Sequence, residues 1–190
     1  MRNILLIIAI FCTIELNAQT CENYYKNTDK IYGKSYTYSV SINKYSGYIE
    51  VQNERNIKSK QPWYYKGSTE YADSRWATYA TLKDKEEIYK LIAQVFTKDE
   101  IDILNEEFSK YLTPTSRFNI QNIITSSGKI EEVIISFHNS CPYTSIHPDK
   151  LYELEQKIKE RLQYSVPDIL KRRFEYIRTE SIRIDFNLLR

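Results

Sequence analysis

The stretch from Phe118 to Phe137, FNIQNIITSSGKIEEVIISF, constrains this chain more than any other. Two β-branched, apolar runs flank Ser127-Gly128, and that pattern reads as a β-hairpin. Glycine meets the positive φ of a tight turn without steric cost. With Ser127-Gly128 as a two-residue turn, Phe118 faces Phe137, Ile120 faces Ile135, Asn122 faces Val133 and Ile124 faces Glu131. Side chains alternate across a strand, so these eight share one face. Six of the eight are apolar. The other face (Asn119, Gln121, Ile123, Thr125, Ile130, Glu132, Ile134, Ser136) is mixed. Asn122 is the polar exception on the apolar side, placed either in a buried hydrogen bond or near an open edge.

Helical periods stand on both sides of this hairpin. In residues 84–96, Ile88, Leu91, Ile92 and Val95 form one stripe, and Asp84 suits the helix start. Thr97-Lys98-Asp99-Glu100 fits a capping box, opening a helix to about Leu112 with Ile101, Leu104, Phe108 and Tyr111 on one face, stopped by Pro114. Pro148 fits the first turn of a third helix, with His147 at its cap. Its stripe is Leu151, Leu154, Ile158 and Leu162. Glu153–Lys157 and Glu155–Lys159 then suggest an exposed opposite face. A short helix is expected somewhere in 168–177. SIRIDFNL, residues 181–188, alternates as a last strand, with Ile182, Ile184, Phe186 and Leu188 on one side.

Upstream, Tyr36, Tyr38, Val40 and Ile42 alternate with small polar residues. Lys44–Gly47 is turn material and Tyr48–Val51 the return strand. The expected fold class is α+β: an antiparallel sheet packed by helices, with an α-β-β-α-β C-terminal half preceded by an N-terminal β-hairpin. Residues 19–190 form a single domain, with 19–81 a Tyr-rich hairpin subdomain and 82–190 the helix, hairpin, helix and strand core.

From Thr97 onward, that element order, with its Gly-Lys turn leading into an apolar strand, resembles the C-terminal domain of the TonB energy transducer and its relatives. The resemblance is topological and covers about the last half of the chain. It implies the fold of that half and carries over no functional residue. Those relatives have a membrane helix and a Pro-rich spacer before the domain, which this sequence lacks, so it does not imply energy transduction. The whole chain is similar to the small exported proteins of unknown function common in Gram-negative bacteria.

Arg2 followed by the apolar run Ile4–Ile14, then Ala18, reads as a signal peptide over residues 1–18. The run is shorter than the roughly 20 residues that cross a bilayer, so no transmembrane helix is expected in the mature chain. The expected location is the periplasm or cell surface. Cleavage leaves Cys21 and Cys141, which in an exported chain suggest a disulfide. Two separate thiols, or a lipidated Cys21, are the alternatives.

No catalytic motif emerges. A net charge of +2 is too small to imply nucleic acid as partner. His138 and His147 lack the third and fourth ligands that a zinc site needs. Ser136 and His138 share a strand face without an orienting acid. Glu131 and Glu132 are adjacent on a strand and point apart. The sequence calls for no cofactor and no metal, and points away from an enzyme. Tyrosine is the compositional outlier, 17 of 190 residues. Tyr24, Tyr25, Trp63, Tyr64, Tyr65 and Trp76 fall where no period explains them. Amphipathic rings of this kind serve either a secondary core or recognition of protein or glycan. The expected function is a non-catalytic binding module of the cell envelope, with Trp63, Tyr64, Tyr65 and Trp76 as its candidate residues. A hydrolase with an unrecognised site, or a structural envelope component using an open sheet edge, are the alternatives. Lys171-Arg172-Arg173, with acids nearby, reads as a solvated face.

Overall fold

A computed structural model gives the fold and describes residues 22–72, 79–109, 118–140 and 142–189. The expected signal segment, Cys21, Trp76, Tyr111, Pro114 and Cys141 lie outside these residues. In chain order the elements are β1 (Lys30–Tyr32), β2 (Thr37–Asn43), β3 (Tyr48–Asn53), β4 (Thr81–Leu82), α1 (Lys85–Val95), α2 (Lys98–Ser109), β5 (Phe118–Thr125) and β6 (Ile130–His138). They continue with a 3-10 turn (Tyr143–Ser145), α3 (Pro148–Arg161), β7 (Tyr164–Ser165), α4 (Asp168–Arg173), β8 (Tyr176–Arg178), β9 (Ile182–Arg183) and a second 3-10 turn (Phe186–Leu189). This is an α+β fold.

Seven strands form one antiparallel sheet in the order β1-β2-β3-β6-β5-β8, with β9 beside β8 along the outer edge of β5. The N-terminal hairpin therefore belongs to the same sheet as the central one, because β3 pairs with β6. Strands β4 and β7 form a separate two-stranded ribbon.

The central hairpin has the expected register at Phe118–Phe137, Ile120–Ile135 and Asn122–Val133. It departs near the turn, where Ile124 pairs with Ile130 rather than Glu131. The connection has three residues, Ser126 to Gly128. The Gly128 N–H donates to the Thr125 carbonyl at 2.9 Å, and only Gly128 is left-handed, at φ +87°. Glu131 becomes the extra residue of a bulge. The shift brings Ile130 (1% exposed) onto the core face and leaves Glu131 half-exposed.

That face carries Phe118, Ile120, Ile124, Ile130, Val133, Ile135 and Phe137, continued by Val40, Ile49 and Val51 of the first hairpin. Helices α1 and α3 cover it with Ile88, Leu91, Ile92, Leu151, Leu154 and Ile158. Burying a side chain of this size contributes about 1.5–3 kcal/mol, so this layer dominates stability.

The helix starts follow their chemistry. Asp84 accepts from the amides of Glu86 and Glu87, and His147 Nδ1 from that of Asp149. The capping box is reciprocal: Thr97 N–H donates to Glu100 Oε2 at 2.7 Å, and Glu100 N–H to Thr97 Oγ1 at 3.3 Å. Asn122 is buried and donates to the Tyr164 hydroxyl at 2.9 Å.

Two further expectations are corrected. Glu155 is not on an exposed face; it is 1% exposed. It accepts from Tyr38 Oη at 2.6 Å, Asn53 Nδ2 at 3.3 Å and Lys159 Nζ at 2.5 Å. Tyr38 and Asn53 are a cross-strand pair that presents both donors to the helix. SIRIDFNL is a strand only over Ile182–Arg183. The Ile184 N–H still reaches the Phe118 carbonyl at 3.0 Å. Phe118 is the first described residue of β5, and from Phe186 the chain turns in the second 3-10 turn. Phe186 is buried, and Leu188 is 64% exposed.

Candidate functional site

The aromatic stretch after β3 folds back on itself. Tyr64 bridges Tyr71, the Tyr65 N–H donates to the Glu70 carbonyl at 3.1 Å, and the Ala72 N–H to the Trp63 carbonyl at 2.8 Å. Gly67, at φ +72°, makes the turn between them, a conformation that glycine adopts freely. The Tyr64 and Tyr71 rings lie 5.0 Å apart. A hydrogen bond with Tyr71, with some burial, raises the Tyr64 phenol above its ordinary value.

This loop lies across β8 and the end of α4. The Tyr65 ring is 5.3 Å from that of Phe174, and the Lys66 N–H donates to the Arg173 carbonyl at 2.6 Å. The Arg178 guanidinium is 5.5 Å from the Trp63 ring centroid, and the Lys58 ammonium is 4.3 Å from that of Tyr176. Both are within cation–π range. Between loop and strand is a surface cleft of about 290 Å³ whose walls include Lys58, Trp63, Tyr64, Tyr65, Lys66 and Tyr176.

A buried carboxylate fixes the root of the loop. Glu132 is 3% exposed and points to the sheet face away from the helices. Its two oxygens accept from the Lys58 N–H at 2.5 Å and the Ser59 N–H at 2.8 Å. Arg178 donates to the Ser59 carbonyl at 3.0 Å, and Asn56 Nδ2 to the Val133 carbonyl at 2.9 Å. Glu132 and Arg178 are each register partners of Ile123, on opposite sides of it. They grip one turn from both sides above a fully buried isoleucine. This explains why Ile123 and Ile134, on the mixed face, are buried outside the main core.

Of the residues picked from sequence, Trp63, Tyr64 and Tyr65 come together in this cleft. Tyr25 does not join them; it is fully buried, 4.9 Å from the Phe137 ring, and its hydroxyl donates to the Ile146 carbonyl at 2.8 Å. Tyr24 packs edge-on against His147. His138 lies against Tyr48, with Nδ1 2.9 Å from the Ser140 hydroxyl. Among the described residues, no group of three or more His, Cys, Asp or Glu could hold a metal ion, and no helix is long and apolar enough to cross a membrane.

Sequence reasoning missed Lys58, Glu132, Tyr176 and Arg178. Nothing in KIEEVII distinguishes a buried clamp from a solvated acid, and Lys58 is about 120 residues from its partner ring. What marks Glu132 is its place after a bulge, visible only once the register is known.

Fold and cleft together define a small α+β protein whose helices cover one face of an antiparallel sheet and whose aromatic loop covers part of the other. The chain belongs to the DUF5043 family, a domain of unknown function whose family model matches residues 20–180. It is similar to a DUF5043 family protein from Bacteroides uniformis ATCC 8492, known from a 1.85 Å crystal structure. The two are 19% identical, with a TM-score of 0.66, covering 86% of this chain and 95% of that one. At that identity the likeness concerns the fold alone. No curated protein matches the chain.

Proposed function

We propose that this protein is an exported, non-catalytic binding module of the cell envelope, and that the cleft at Trp63–Tyr65 is its binding site. One observation carries the reading: the aromatic stretch without sequence period is one wall of an open cleft, and a buried carboxylate holds it there. A loop that merely filled space would not need a desolvated charge at its root, since burying a carboxylate is costly unless it is well hydrogen bonded. Rings with polar tips, half-exposed beside lysines, suit recognition of a protein or glycan.

Export is supported by the signal-like N-terminus, and a Cys21–Cys141 disulfide by the chain on either side of it. The Tyr24 N–H donates to the Thr144 carbonyl at 3.1 Å, three residues from each cysteine. Intact-mass measurement of protein from the periplasm of a Gram-negative host tests both points. Loss of residues 1–18 is expected, together with a mass gain of two hydrogens on reduction. Full-length cytoplasmic protein, or a mass unchanged by reductant, overturns the respective point. For the site, immobilised wild type and Trp63→Ala/Tyr65→Ala are exposed to defined glycans and peptides. Retention by wild type and loss by an equally folded variant is expected; equal retention removes the cleft from consideration.

A further inference from the structure

We propose that Tyr64 and Tyr71 are an oxidative modification site, at which a carbon–carbon bond joins their rings into an intramolecular dityrosine. This holds whatever the cleft binds. Tyr64 and Tyr71 are opposite one another in an antiparallel bridge. The hydrogen bonds flank them, from the Tyr65 N–H to the Glu70 carbonyl at 3.1 Å and from the Ala72 N–H to the Trp63 carbonyl at 2.8 Å. Theirs is therefore a non-hydrogen-bonded pair, the position where opposed side chains are closest. The ring centroids are 5.0 Å apart with 33° between the planes, and the two hydroxyls are hydrogen bonded to each other. The ortho carbons beside those hydroxyls are neighbours, and a biaryl bond asks only for a slightly closer approach with a modest twist between the rings.

Accessibility favours this pair. Both rings face solvent, Tyr64 at 42% exposed and Tyr71 at 69%. Tyr36 also has ring contacts with Tyr38 and Tyr152, each at 4.9 Å, but Tyr36 and Tyr38 are buried and donate to Asp149 and Glu155. Tyr65, next to Tyr64 in the chain, packs on Phe174 instead, 5.3 Å away. A surface oxidant therefore meets the loop pair first. Each phenol gives one electron and one proton to a one-electron oxidant, a haem peroxidase working on hydrogen peroxide. One peroxide takes up both electrons and both protons and leaves as two waters. The two phenoxyl radicals couple through their ortho carbons. The hydrogen on each of those carbons then moves to its ring oxygen, restoring both phenols. The product has one new bond and two hydrogens fewer, and it ties together the two arms of the Gly67 turn.

For the test, dilute folded protein is treated with a haem peroxidase and hydrogen peroxide, then with a thiol reductant and trypsin. Trypsin cuts after Lys60, Lys66 and Arg75, so Tyr64 and Tyr71 leave in separate peptides, residues 61–66 and 67–75. Tyr71 is the sole tyrosine of the second. The expected product is these two peptides joined, with dityrosine fluorescence and a mass two hydrogens below their sum. Reductant opens a disulfide and leaves this bond intact. Tyr64→Phe and Tyr71→Phe should each abolish the joined species, and Tyr65→Phe should leave it. Its yield should drop severalfold when the oxidation is run in denaturing urea, where the bridge is lost. Absence of the joined species from oxidised protein, or its persistence in Tyr64→Phe, overturns the proposal. So does an equal yield in urea, which reduces the site to nearness in sequence, or a yield that rises with protein concentration, which makes the link one between molecules.

Discussion

Glu132→Ala is the substitution that most directly examines how the cleft is built. The wild-type carboxylate is 3% exposed and accepts two backbone N–H groups, at 2.5 and 2.8 Å. Hydrogen bonds to a charged group contribute about 1.5–3 kcal/mol each. The Lys58 and Ser59 backbones are only half-buried and can recover water, so the expected loss is about 3 kcal/mol, not the full sum. For a domain of this size each kcal/mol lowers the melting temperature by about 2–4 °C, giving a fall of about 6–12 °C. Glu131→Ala is the internal control. Its neighbouring carboxylate is on the bulge, 37% exposed and 3.1 Å from an exposed Lys129, an ion pair of about 0–1 kcal/mol. Calorimetric melting measures the difference, and amide hydrogen exchange locates it. Protection should fall at Lys58 and Ser59 and along the loop to Ser68, while Ile120–Ile124 stay protected. If the two variants melt within about 1 °C of each other and loop exchange is unchanged, the carboxylate clamp is wrong.

Gly128→Ala should cost roughly 2 kcal/mol or more in urea unfolding, because φ is +87° and a Cβ there would be 2.0 Å from the Tyr164 carbonyl oxygen. Tyr38→Phe should lose about 2 kcal/mol by removing the 2.6 Å donor to buried Glu155. Tyr32→Phe, on a ring 75% exposed, should be near neutral by the same assay. Burial, aided by neighbouring tyrosines and, for Tyr38, by Glu155, holds the Tyr25 and Tyr38 phenols far above the ordinary value of 10.0. The folded state keeps those protons when the unfolded chain releases them, so their contribution is intact below about pH 10 and declines above it. The slope is about 1.4 kcal/mol per pH unit for each phenol. Melting curves from about pH 8 to about pH 11 should show the decline, with a shallower slope in Tyr38→Phe.

The parts of the fold that local chemistry settles could be read from single segments. The capping box at Thr97–Glu100 needs only four consecutive residues, and His147-Pro148 only two. Three of the four register pairs of the central hairpin follow from alternation alone. The turn is different: a two-residue connection over Ser127-Gly128 needs a positive φ at both residues, a three-residue one only at Gly128, and Gly128 alone has it. The three-residue form is also held by β7, which crosses the hairpin tip. Tyr164 N–H donates to the Gly128 carbonyl at 2.9 Å, and Gln163 bridges Lys129. Glu155 was misread for a related reason. An i,i+4 partner is a local pattern typical of surface helices, while Tyr38 and Asn53 arrive from strands about 100 residues earlier.

The candidate site shows the same division more sharply. By itself the sequence determined that the Trp63–Tyr65 stretch has no amphipathic period, because period is a local property, and it therefore stood out as unexplained. Only the tertiary structure decided that Trp63, Tyr64 and Tyr65 form a wall while Tyr25, equally unpatterned, is core. The difference lies in what each ring meets: Phe137 and the Ile146 carbonyl enclose Tyr25, whereas Trp63 meets the Arg178 guanidinium and stays partly exposed. Long-range pairing placed Glu132 beneath the loop and the basic run beside it. Those partners come from β6, α4 and β8, and no window of sequence contains them together.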